Sequence, residues 1–92
     1  MPFNKYDFIT SSYNASGWQT IPKNCNGFTV VNTGTAIVNV NDLIMYPGVP
    51  GTTIGDSISF GGNENEIYAG KLKIAFAAVG GEIQVVYKVF VP

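Results

Sequence analysis

Lys71-Leu72-Lys73-Ile74-Ala75-Phe76 alternates apolar and polar side chains almost without a break. A period of two puts Leu72, Ile74 and Phe76 on one side of an extended chain and Lys71, Lys73 and Ala75 on the other. That is the pattern of a β-strand with one buried face. Asp56-Ser57-Ile58-Ser59-Phe60 repeats it. Residues 83–91 set Ile83, Val85, Tyr87, Val89 and Val91 against Gln84, Val86, Lys88 and Phe90. Residues 28–31, 36–40 and 43–46 are short β-branched or apolar runs, and 6–10 and 18–21 add two more. Leu72, Ile74, Phe76, Ile58, Phe60, Val85 and Tyr87 are the expected core.

Turn chemistry separates the runs. Asn26-Gly27 reads as a turn before the third strand, and Asn32-Thr33-Gly34 as the turn after it. Asn41-Asp42 stands where a two-residue hairpin loop belongs. Gly61-Gly62-Asn63-Glu64-Asn65 and Gly80-Gly81 end later strands, since Asn and Gly tolerate the positive φ of tight turns. Residues 47–55 carry two prolines and three glycines and no charge. This stretch cannot be a central strand, because proline lacks the ladder donor. It is either a functional loop or a plain crossover between sheets. The expected fold is all-β: one domain over 1–92, a single antiparallel β-sandwich, jelly-roll-like, of about eight short strands.

Composition narrows the function classes. Cys25 is the sole cysteine and histidine is absent, so neither an intrachain disulfide nor a Cys/His zinc site can staple the domain. Five lysines, no arginine and six acids make 12% of the chain charged, about half the usual quarter. Nine asparagines, with Ser, Thr and Gly, supply the polar surface. Without arginine or a basic cluster, nucleic acid is not an expected partner. The opening Met1-Pro2-Phe3-Asn4-Lys5-Tyr6 has no apolar signal core, and no window approaches the ~20 apolar residues of a membrane-spanning helix. No membrane partner is expected, and synthesis is expected in a host cytoplasm.

The ingredients of catalysis are sparse. Ser/His/Asp and Cys/His schemes need the missing histidine, and Cys25 reads as a half-buried or turn residue. Asp56, Glu64, Glu66 and Glu82 are the candidate carboxylates, but no apolar setting to raise a pKa is visible around them. Asn63-Glu64-Asn65-Glu66, with Asp56, could offer oxygen ligands to calcium, without an EF-hand pattern and with too few donors for a full cage. Trp18 and the tyrosines could form a sugar-stacking platform, although a sole tryptophan in so small a domain is more often core or interface. The expected reading is no catalytic set, no metal and no cofactor.

Residues 27–36, Gly27-Phe28-Thr29-Val30-Val31-Asn32-Thr33-Gly34-Thr35-Ala36, are followed by Val38-Asn39-Val40-Asn41 and a Pro-Gly loop. Then comes Ser57-Ile58-Ser59-Phe60-Gly61-Gly62-Asn63-Glu64-Asn65-Glu66-Ile67-Tyr68. This pattern resembles small virion proteins of tailed bacteriophages: capsid decoration, head-fibre base or tail-associated modules, with the crAss-like group among them. The resemblance implies a non-enzymatic β-sandwich in the virion that docks on the major capsid or fibre protein, often as an oligomer. It assigns no residue a role. A carbohydrate-binding or adhesin-like module using Trp18 and the tyrosines is the first alternative, and a β-sandwich enzyme accessory domain or an enzyme of unfamiliar type is the second.

The chain's two ends add an independent expectation. Val86 and Phe90 fall opposite Val85 and Tyr87. Tyr6 and Phe8 can fill one side of the first strand, with Phe3 and Ile9 on the other, beside Lys5 and Asp7. Large apolar residues on both faces of a strand mean that the second face is covered too. Phe3, Ile9, Val86 and Phe90 are therefore expected to form a subunit or capsid contact, unless loop 47–55 folds back over them. Chelation should leave the melting temperature nearly unchanged. A rise of several degrees on adding calcium would make ligands of Asp56, Glu64 and Glu66.

Overall fold

The computed structural model describes residues 5–49, 52–62 and 66–91. Phe3 and Glu64 lie outside the described residues. The strands are β1 (Lys5–Tyr13), β2 (Gly17–Thr20), β3 (Cys25–Asn32), β4 (Val38–Val40), β5 (Leu43–Met45), β6 (Ser57–Phe60), β7 (Lys71–Phe76) and β8 (Ile83–Val91). Each overlaps one of the alternating or β-branched runs of the sequence. No helix among the described residues is long and apolar enough to cross a membrane.

The strands form two four-stranded sheets. Sheet A has the order β1-β8-β3-β6 and sheet B the order β2-β7-β4-β5. Pairing runs from the chain ends inward: β1 with β8, β2 with β7, β3 with β6 and β4 with β5, all antiparallel. Rolling this ribbon over sets β8 also against β3, and β7 against β4. The result is a jelly roll, an eight-stranded double sheet.

The turns show why the ribbon folds where it does. Asn41 and Asp42 join β4 to β5 with φ of 49° and 67°, the two positive values of a type I′ hairpin. Asn26-Gly27 behaves differently from the turn expected of it. Both residues lie within β3, whose register against β8 shifts between Cys25 and Gly27. A β-bulge absorbs the extra residue. Glycine is required there, because a Cβ on Gly27 would meet the Phe60 carbonyl oxygen of β6 at 2.7 Å.

The core fills the space between the sheets. Val30, Ile83, Val85 and Tyr87 of sheet A meet Val38, Val40, Met45, Leu72 and Ile74 of sheet B, with Cys25 and Phe28 at one end. Ile58, Phe60 and Phe76 face the same interior but are half-buried. Phe28 stacks on Phe60 with ring centroids 4.8 Å apart and meets Tyr68 edge-on at 5.4 Å.

Asn32, a polar residue at the end of β3, is as buried as the apolar core, with 2% of its surface exposed. Its Nδ2 donates to the carbonyls of Ala36 (3.0 Å) and Met45 (3.1 Å), and its Oδ1 accepts from the Gly34 amide (3.1 Å). Replacing Leu72, fully buried, by Ala should cost on the order of 3 kcal/mol in chemical denaturation. Lys73→Ala next to it should stay within ~0.5 kcal/mol. Equal losses would put this strand in the other register.

Candidate interaction surface

The outward face of sheet A carries a cluster of aromatic and apolar side chains. Directly opposed residues of an antiparallel pair share a face, and the register sets Tyr6 against Phe90, Phe8 against Lys88 and Thr10 against Val86. All six point away from the core, because their neighbours Val85 and Tyr87 point into it. Phe8 is 69% exposed. Tyr6 and Phe90 meet edge-on with centroids 6.0 Å apart, and Lys88 Nζ stands 4.2 Å from the Tyr6 ring centre. That geometry is a cation–π contact. Next to it lies a shallow depression of about 230 Å³, edged by Phe8, Thr29, Ser59, Val86 and Lys88. Thr29 and Ser59 share a hydroxyl–hydroxyl hydrogen bond of 2.9 Å across its floor.

This arrangement revises the expected contact set. Val86 and Phe90 stand together, but Ile9 does not join them. Its register partner is Tyr87, so it lies on the inner face of β1, 43% exposed where the strand runs along the edge of the sheet. Tyr6 and Phe8, assigned above to the inner side, take the outer one. Both parities of β1 carry apolar residues, so the alternation within it does not orient the strand. Its pairing with β8 does, together with Tyr13, which turns inward to share a 3.0 Å hydrogen bond with the Tyr87 hydroxyl.

The described residues of loop 47–55 reach this face only at its Val31 end and do not cover the Tyr6–Phe90 cluster. Tyr46 and Asp56 close its neck: the Tyr46 amide donates to Asp56 Oδ2 at 2.8 Å, and the Asp56 amide to the Tyr46 carbonyl at 2.9 Å. Inside it the amides of Thr52 and Thr53 both donate to the Val49 carbonyl. The loop leans on the Asn32 end of β3, where a Cβ on Gly55 would collide with the Asn32 carbonyl. Phe90 is bonded to Asn24 at the opposite end, roughly 25 Å away along the strand. Between this loop and residues 31–35 runs a second groove of about 360 Å³, and Ile54 at its rim is 94% exposed. Val79, 98% exposed, caps the neighbouring β7–β8 turn.

The other sequence candidates are scattered. Asp56 sits at the loop neck, and Glu82 Oε1 accepts from the Thr33 hydroxyl at 2.9 Å on the other side of β3. Glu66 is exposed beyond β6. Among the described residues no three His, Cys, Asp or Glu side chains come together. Trp18 is not a core residue: it is 62% exposed on the outer face of sheet B, opposite Lys73. The tyrosines do not gather round it. Tyr87 is in the core, Tyr6 is on sheet A, and Tyr46 follows β5 at the far edge of sheet B. No family model, curated protein or solved structure matches the chain.

Cys25 is fully buried rather than half-buried, and its Sγ donates to the Gly27 carbonyl at 3.3 Å. Burial raises the pKa of its thiol, against the opposing pull of that hydrogen bond. Burial, then the Tyr13 hydroxyl, pushes the Tyr87 phenol above its ordinary range. A raised acid pKa keeps the folded state neutral while the unfolded chain ionises. The stability these groups contribute is thus complete below the ordinary thiol value of 9.0 and declines as pH rises past it. Denaturant midpoints should fall between about pH 8 and about pH 10.5, and a thiol reagent should label Cys25 only as the protein unfolds. Rapid labelling of the native protein would contradict this burial.

Proposed function

We propose that the chain is a non-enzymatic structural module of a phage virion, docking on a capsid or fibre protein through the outward face of sheet A. The observation that carries the reading is the face itself: Phe8 lies open beside Tyr6, Val86 and Phe90, with Lys88 the one charged side chain that its described strand residues contribute and Glu66 at its margin beside Tyr6 and Phe90. Exposed aromatic surface with so little charge suits the centre of a protein–protein contact. The sequence resemblance points to the same partners. The fold adds an analogy only, since jelly rolls serve both as viral capsid domains and as lectins.

A narrower second reading rests on Trp18. Its open indole beside Lys73 could stack on a sugar face, and a glycan array with Trp18→Ala as control tests it. The leading reading is tested on particles. The protein should be present in purified virions, and Phe8→Ser should lose binding to particles stripped of it while keeping its melting temperature, since Phe8 contributes little to the core. Absence from purified particles would sink the proposal.

A further inference from the structure

Among the described residues four strands form the free edges of the two sheets, and they are unequal. β2, β5 and β6 have four, three and four residues, whereas β1 has nine. Short edges are a common protection against unwanted pairing. β1 is unprotected by length, contains no proline and pairs with β8 over all nine positions without a register shift. Along its open side it presents a regular row of backbone donors and acceptors.

Phe8 and Ile9 show what belongs there. They are consecutive, so they point to opposite faces of sheet A, yet both are exposed, at 69% and 43%. A partner packed on either face of the sheet could cover only one of them. A strand laid along the edge is a neighbour to both, because cross-strand side chains lie ~5 Å apart on each face.

We propose that β1 pairs antiparallel with β1 of a second copy about a two-fold axis through Ile9, joining the two four-stranded A sheets into one. Such an axis, normal to the sheet, keeps inner faces with inner faces. Full overlap sets Ile9 against its own copy, Phe8 against Thr10, Asp7 against Ser11, Tyr6 against Ser12 and Lys5 against Tyr13. No like charges meet, and Phe8 and Tyr6 face the hydroxyl side chains of Thr10 and Ser12, pairs that a sheet accepts. Parallel in-register pairing would instead set Lys5 on Lys5 and Asp7 on Asp7. The outward face with Tyr6, Phe8, Val86 and Phe90 stays open and is doubled in extent. Dimerisation is independent of particle binding, so either can fail alone.

Cross-linking tests the register. At the two-fold, the Cα atoms of position 9 lie about 4.5–5.5 Å apart, within disulfide reach. Copies of position 12 lie about 20 Å apart. Under mild oxidation Ile9→Cys should yield a covalent dimer and Ser12→Cys should not, while buried Cys25 stays unreacted. Ile9→Lys, which opposes two charges at the axis, should shift the wild-type dimer toward monomer in light scattering with its melting temperature retained. A monomeric wild type, equal cross-linking at positions 9 and 12, or an unchanged dimer in Ile9→Lys would each overturn the pairing.

Discussion

The side chain of Asn32 ties together parts of the chain that no strand ladder connects. Its amide nitrogen bonds Ala36 on the approach to β4 and Met45 at the end of β5, and its oxygen holds the Gly34 amide of the intervening turn. Its backbone amide donates to the Asp56 carbonyl just before β6. Asn32 belongs to sheet A and Met45 to sheet B, so one buried amide spans the sandwich where the ribbon must bend from one sheet to the other. A buried polar group left unpaired costs about 1–3 kcal/mol. Here both amide protons and the oxygen are engaged, and no buried side-chain nitrogen or oxygen among the described residues lacks a partner. A domain without a disulfide or histidine gains a fixed strand order from this junction, and it also fixes where loop 47–55 leans.

The strands were legible because alternation is a strong signal wherever only one parity is apolar. β7, with lysines at 71 and 73, and β6, with serines at 57 and 59, read directly. β1 did not. Tyr6 and Phe8 compete with Ile9 and Tyr13 for the interior, and the choice is made by pairing with β8 and by the hydroxyl contact between Tyr13 and Tyr87. Neither is local. Asn26-Gly27 misled for the opposite reason: the pair matches a turn locally, but a bulge keeps it inside β3. Asn32 was legible only as a turn former, because its three partners come together only when the sheets close. Trp18 departs from the usual expectation of a core place for a lone tryptophan, because the surface of sheet B leaves it open.

The two outward faces divide the surface by chemistry. Sheet B presents Lys71, Lys73, Asn39 and Thr20 around two separate apolar residues, Trp18 and Ile44, and Lys73 Nζ stands 3.7 Å from Asp42 Oδ1. An exposed pair of this kind adds little stability, but it marks a face suited to water. Sheet A presents Tyr6, Phe8, Val86 and Phe90 with Lys88 alone among the charges of β8. Lys88 lies over the Tyr6 ring rather than reaching outward. Its stem shields apolar surface, and its charge is partly balanced by the ring.

This asymmetry gives the domain a direction. A module that settles on a larger surface by sheet A turns sheet B, with its lysines and Trp18, to the solvent. Pairing through β1 preserves that direction, because a two-fold normal to the sheet keeps both outward faces on the same side. Two copies so joined could meet a flat lattice with a continuous aromatic surface. A face-to-face dimer would bury that surface between the copies and leave nothing to dock. Edge pairing and face docking are therefore compatible in one molecule, and the long unbulged edge of β1 is the element that makes them so.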